Sequence, residues 1–145
     1  MSTESIRLTV INAIKQACRD MRGGAYHVRR GRVNWSKFPF DRYPLAISVM
    51  VPEEDLTTEP VRATVTLELM TKMPDHSALE IDDEILDQMR EDCHILMRTL
   101  TELTVTNASG GLDNLFLGVQ MLPSLEIADS EQELQGIEQP FIVEY

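Results

Sequence analysis

The sequence predicts an α+β fold: two amphipathic helices packed on one face of a mainly antiparallel sheet, with a projecting basic-aromatic hairpin. Apolar residues recur at helical spacing in two long segments, and shorter runs of period-2 alternation lie between and after them. The order helix, strands, helix, strands suits a sheet that carries its helices on one side.

Ile6, Val10, Ile14, Ala17, Cys18 and Met21 form one stripe, with Arg7, Asn12, Lys15, Arg19 and Asp20 on other faces. The spacing predicts a helix over 2–21, capped by Ser2 or Thr3 and ended by Gly23-Gly24. Residues 25–35 read as a hairpin. Tyr26 and Val28 share a face of its first strand, Val33 and Trp35 a face of its second, and Arg30-Gly31 supplies the turn. A Pro- and aromatic-punctuated link over 38–44 leads to an apolar β run at 45–51, stopped by Pro52. An acidic loop over 53–60 precedes a half-buried strand over 61–70, closed by Pro74. Its clean alternation sets Val61, Ala63, Val65, Leu67 and Leu69 against Arg62, Thr64, Thr66, Glu68 and Met70.

Ile81, Ile85, Met89, Cys93, Leu96, Leu100 and Leu103 advance by three or four and define a second helix over about 80–103. It starts either from a capping box at Ser77-Ala78-Leu79-Glu80 or at Asp82. Asp82, Asp83 and Glu84 crowd its first turn, where the helix dipole favours negative charge. Residues 107–111 form a loop. Strands follow at 115–122 and 137–145, a further one is possible at 125–127, and 129–133 is an acidic turn. The 145 residues suit one domain with one core, with an arm at about 22–43.

Charge is segregated along the chain. Residues 1–45 hold 9 of the 13 Lys+Arg but only 3 of the 24 Asp+Glu, so this end carries +6 and the remainder −17. Five of the eight aromatics, Tyr26, Trp35, Phe38, Phe40 and Tyr43, fall within 18 residues of the basic end. Such a chain either folds its basic end onto its acidic body or packs head to tail against copies of itself. A net charge of −11 opposes general binding to a phosphate backbone, although a basic arm can still make such a contact. No apolar run approaches a membrane span, and the N-terminus lacks the pattern of a signal peptide, so a protein made in the cytoplasm is expected.

Constellations that carry chemistry are sparse. His27, His76 and His94 are far apart and no Cys-x-x-Cys occurs, so no metal site is expected. Cys18 and Cys93 lie on apolar stripes and read as reduced core residues rather than nucleophiles. Asp82, Asp83, Glu84 and Asp87 lack the spacing and glycine of a calcium loop. The glycine pairs belong to no phosphate-binding fingerprint. No cofactor and no catalytic activity are therefore expected. The arm remains: Arg29, Arg30, Arg32 and Trp35 are the expected contacts with a subunit or partner. Cations mixed with aromatics are also how single-stranded nucleic acid is held, so a nucleic-acid-binding module stays open. A small enzyme built on Cys93, His94 and nearby acids is a further alternative.

The layout resembles a known family. A first helix leads through the arm to the Pro-led strand Tyr43-Pro44-Leu45-Ala46-Ile47-Ser48-Val49. An acidic loop, a long alternating strand, a long helix and the terminal Phe141-Ile142-Val143-Glu144-Tyr145 follow. This is similar to the tail terminator, or tail completion, proteins of long-tailed bacteriophages, in length and in element order over most of the chain. The resemblance implies a structural virion protein of the tail or neck that forms a hexameric ring. Such a ring caps the tail tube, ends its polymerisation and provides the head-joining surface. Implied partners are further copies of the chain, the tail tube protein and a neck or connector protein, with DNA passing through the lumen without specific binding and no membrane. A neck or head–tail adaptor protein is the nearest alternative.

Overall fold

The computed structural model describes the backbone of residues 3–73 and 82–145, and side chains from Ile6 onward. The capping roles read for Ser2, Thr3 and residues 77–80, and the helix position of Ile81, lie outside the described residues. So does Pro74.

Helix α1 (Thr3–Asp20) ends as expected at a left-handed break, with Arg22 at φ 50°, Gly23 at 63° and Gly24 at 85°. Helix α2 (Asp83–Glu102) starts at the second of the two anticipated positions: the Asp82 side chain accepts from the N–H groups of Glu84 and Ile85. The strands are β1 (Tyr26–Arg30), β2 (Leu45–Asp55), β3 (Arg62–Lys72), β4 (Thr104–Thr106), β5 (Leu112–Asn114), β6 (Gly118–Met121), β7 (Leu125–Asp129) and β8 (Leu134–Glu144). The main sheet has the order β1-β2-β3-β8-β6, with β7 also paired to β8, and all its pairings are antiparallel except β1 with β2.

Alternation gives this sheet two different faces. Ile47, Val49, Ala63, Val65, Leu67, Leu69, Ile137, Phe141 and Val143 face the helices and are buried with Val10, Ile14, Cys18, Leu86, Met89, Cys93, Leu96 and Leu100. Ala46, Met70 and Leu134 point to the second face, where Phe38 and Phe40 cover them.

One expectation needs correction. The segment 25–35 is not a hairpin. Tyr26–Arg30 pairs in parallel with the strand that starts at Leu45, Tyr26 opposite Leu45 and Arg30 opposite Val49. The intervening residues 31–44 cross the second face instead of returning beside β1. They are enough for a parallel crossover, which needs about a dozen residues. The physical reason is the aromatic content. A hairpin would leave Phe38 and Phe40 without an apolar floor, whereas a crossover lays them on Ala46, Met70 and Leu134. The pair that does stand apart from the main sheet is β4–β5, whose turn is braced by Asn107. Smaller differences concern bounds. Strand β2 continues past Pro52 through an irregularity between Met50 and Glu53, which shortens the acidic loop, and the strand expected at 115–122 is paired only over Gly118–Met121.

Candidate subunit-contact surface

The crossover is held at both ends. Gly31, at φ 95°, adopts the left-handed conformation that its neighbours' side chains disfavour. Its N–H donates to Val49 O at 2.8 Å, and its carbonyl accepts from the Ser48 hydroxyl. Asn34 caps a single 3-10 turn, Trp35–Lys37, by accepting from Ser36 N. At the exit, Thr71 Oγ1 donates to Pro44 O at 2.8 Å.

Between these anchors the aromatics pack on one another. Phe38 lies 4.8 Å from Phe40 and 5.3 Å from Trp35, and Tyr43 stacks on His27 at 3.9 Å. Trp35 is thus half-buried in an aromatic cluster, and its Nε1 is enclosed with no acceptor at hydrogen-bonding geometry. The Glu68 carboxylate is close enough to feel that N–H, which, with Arg32, opposes the rise in its pKa caused by burial and by Glu138. Glu68 and Glu138 are directly opposite on β3 and β8, so the second face carries an acidic pair beside the aromatic cluster.

The three expected arginines do converge. Arg29, Arg30 and Arg32, joined by Lys37, rim a shallow cavity of about 320 Å³ with Val33, Phe38 and Pro39 among its lining residues. The Arg29 guanidinium sits 5.5 Å from the Phe38 ring centre, and its Nε donates to His27 Nε2 at 3.3 Å. That bond requires a neutral His27. Burial, and then the cations Arg29, Arg19 and Arg42, lower its pKa and keep it neutral. Among the described residues, none of these four rim cations has a carboxylate within 4.0 Å. Lys37 was counted with the basic end in the sequence, and its place beside the arginines follows from the 3-10 turn.

Two other cations of the basic end, Arg7 and Arg22, are consumed internally. Arg22 grips Asp92 through two nitrogens, at 2.7 and 2.9 Å, and Tyr26 Oη donates to the same carboxylate at 2.7 Å. Asp92 is 2 % exposed, so this pair ties the end of α1 to the middle of α2. The Tyr26 phenol is held protonated, first by burial and then by its bond to Asp92. Arg7 meets Glu54 at 2.7 Å. Asp92 was missed in the sequence, although its spacing from Met89 and Leu96, three and four residues, already put it on the buried stripe.

Acids gather at the far end of β2. Glu53, Asp55 and Glu59 are exposed, and between them Leu56 is 51 % exposed. The loop is braced: Asp55 Oδ1 accepts from Thr57 N at 3.0 Å and from Thr57 Oγ1 at 2.6 Å, and Thr58 Oγ1 donates to Pro60 O at 3.0 Å. The bonds from the Thr57 hydroxyl and then the Thr57 N–H lower the Asp55 pKa and keep it ionised.

Among the described residues no group of three or more His, Cys, Asp and Glu could hold a metal ion. Burial pushes the thiols of Cys18 and Cys93 up to about 12, so neither is an activated nucleophile. No helix among the described residues is long and apolar enough to cross a membrane. The chain matches no protein-family model and none of the curated proteins.

Proposed function

We propose that the protein is a structural subunit of a long-tailed bacteriophage virion, one of six in a ring that caps the tail tube, ends its polymerisation and offers the head-joining surface. The observation that carries this reading is the incomplete internal use of charge. Arg7 and Arg22 find carboxylates within the subunit, whereas Arg29, Arg30, Arg32 and Lys37 find none within 4.0 Å among the described residues. Meanwhile Glu53, Asp55 and Glu59 stand exposed elsewhere on the surface. Two unlike patches on one subunit are what a heterologous, ring-closing contact needs. The element order adds to this, since it resembles the layout expected of tail terminator proteins. The tail tube protein and a neck or connector protein are the partners at the ring's two faces. An acidic lumen lets DNA pass, because like charge keeps the phosphate backbone from adhering.

A neck or head–tail adaptor is the nearest rival and differs in forming no stable ring alone. A nucleic-acid module is disfavoured by the aromatic packing: Phe38 and Phe40 are buried, so the rim offers cations but few free rings for bases to stack on. The test is native mass at low and high salt, followed by negative-stain imaging. A ring of six subunits is the expected result. A species of 16.5 kDa at every salt concentration overturns it.

A further inference from the structure

We infer that the occupant of the cation-rimmed cavity is the β2–β3 loop of a second copy of this chain together with the end of β2 that leads into it, with Leu56 as an apolar knob flanked by Glu53 and Asp55 at the strand end and by Glu59 in the loop. This rests on the ring reading and deepens it, because it names the second patch of the seam.

Three properties of the two surfaces match. The cavity is charged at the rim, by Arg29, Arg30, Arg32 and Lys37, and apolar among its lining, by Val33, Phe38 and Pro39. The loop has the complementary order, one half-exposed leucine set between exposed carboxylates. A leucine that displaces water from the apolar lining brings the acids to the height of the guanidinium groups, where charge-assisted hydrogen bonds can form at the rim.

Preorganisation is the second property. The hydrogen bonds of Asp55, Thr57 and Thr58 fix the loop before any contact, so docking forfeits little chain entropy. The cavity is fixed as well, by the anchors at Gly31, Asn34 and Pro44.

The third is topological. Within its own subunit the loop does not occupy the cavity, since none of residues 53–59 lines it. Strand β1 ends opposite Val49, and the loop lies beyond Asp55, held at its base by the Glu54–Arg7 pair and by the two hydrogen bonds between Val61 and Tyr145. The contact is therefore between copies, and it joins two different patches.

The experiment uses the full chain in three forms: wild type, a cavity variant carrying R29E, R30E and R32E, and a loop variant carrying E53K and E59K. Asp55 is left alone because it braces the loop. All changes are at exposed positions, and thermal unfolding verifies that each variant folds. Assembly is read by native mass. Wild type is expected to form rings, and each variant alone to assemble at least about tenfold more weakly at low salt. An equimolar mixture is expected to restore rings, since acidic cavities then meet basic loops and basic cavities meet acidic loops around an even-membered ring. L56A is expected to weaken wild-type assembly without changing its salt dependence. If the loop variant assembles like wild type while the cavity variant does not, the loop is not the occupant and the ring reading survives. Folded variants that each fail and do not complement when mixed overturn the pairing in the same way. A wild type that never assembles removes the ring reading and this inference together.

Discussion

The Arg22–Asp92–Tyr26 cluster shows how a single charge can organise the junction of two elements. Asp92 is almost fully enclosed, whereas the Arg22 side chain is 38 % exposed. Removing the two partners is therefore not symmetric. Arg22→Ala strands a buried carboxylate with only the Tyr26 hydroxyl, and should cost about 3 kcal/mol of stability. Asp92→Asn leaves a cation that can turn to water, so it should cost clearly less in the same chemical-denaturation experiment; equal losses would contradict this account. His27 offers a second test. Its folded pKa lies below the ordinary 6.5. The unfolded chain then takes up the proton first, so the contribution of neutral His27 is complete above about pH 6.5 and is lost as pH falls through the depressed folded value. Protonation also removes the acceptor for Arg29 Nε. Trp35, the single tryptophan, packs in the same cluster. Its emission should shift as the pH drops below the ordinary 6.5, and His27→Gln, which retains an acceptor without titrating, should abolish that step. Any step due to Glu68 should remain.

Among the elements, β8 is the most constrained, because β3 pairs along one side of it and both β6 and β7 along the other. Gly136 lies opposite Met70, and a Cβ there would collide with the Leu69 carbonyl oxygen and the Met70 sulfur. Neighbouring backbone cannot yield as a flexible side chain does. Gly136→Ala should therefore destabilise the protein by about 3 kcal/mol, measurable as a lower denaturation midpoint. Gly118→Ala serves as the control on the neighbouring strand, since its added Cβ meets only the Glu144 side chain at ordinary contact distance. The same sheet explains the fate of the arm. The sequence showed two candidate strand faces, Tyr26 with Val28 and Val33 with Trp35, and their alternation is real. Only the first face found a β partner. The second belongs to a crossover whose rings cover the opposite side of the sheet.

For the molecule as a whole, the +6 and −17 ends are partly folded onto each other and partly left over. Arg7 and Arg22 reach across to Glu54 and Asp92, and the rim of Arg29, Arg30, Arg32 and Lys37 stays outward. Any contact made by that rim is between exposed charges and is screened over about 10 Å at 0.1 M salt and about 3 Å at 1 M. Reversing Arg29, Arg30 and Arg32 should thus weaken assembly strongly at low salt and much less at high salt. An equal loss at both would point to lost packing, and no loss at either would remove these arginines from the seam.

The sequence by itself determined the two helices, the central strand β3 and the sides they turn to the helix-facing core. Helical spacing placed α1 and α2, period-2 alternation placed β3, and Gly23-Gly24 and Asp82 marked helix boundaries, because each of these signals is local and repeats within a few residues. It also singled out Arg29, Arg30 and Arg32 as a group, since they are neighbours in the chain. Which strand pairs with which was decided only in three dimensions. The parallel register of β1 on β2, the cover of Phe38 and Phe40 over Ala46, Met70 and Leu134, and the reach of Arg22 to Asp92 across 70 residues all depend on surfaces that do not exist until the sheet forms. A turn at Gly31 is compatible with either a hairpin or a crossover. The choice went to the arrangement that buries the aromatic rings, because their burial outweighs the pairing of one more short strand.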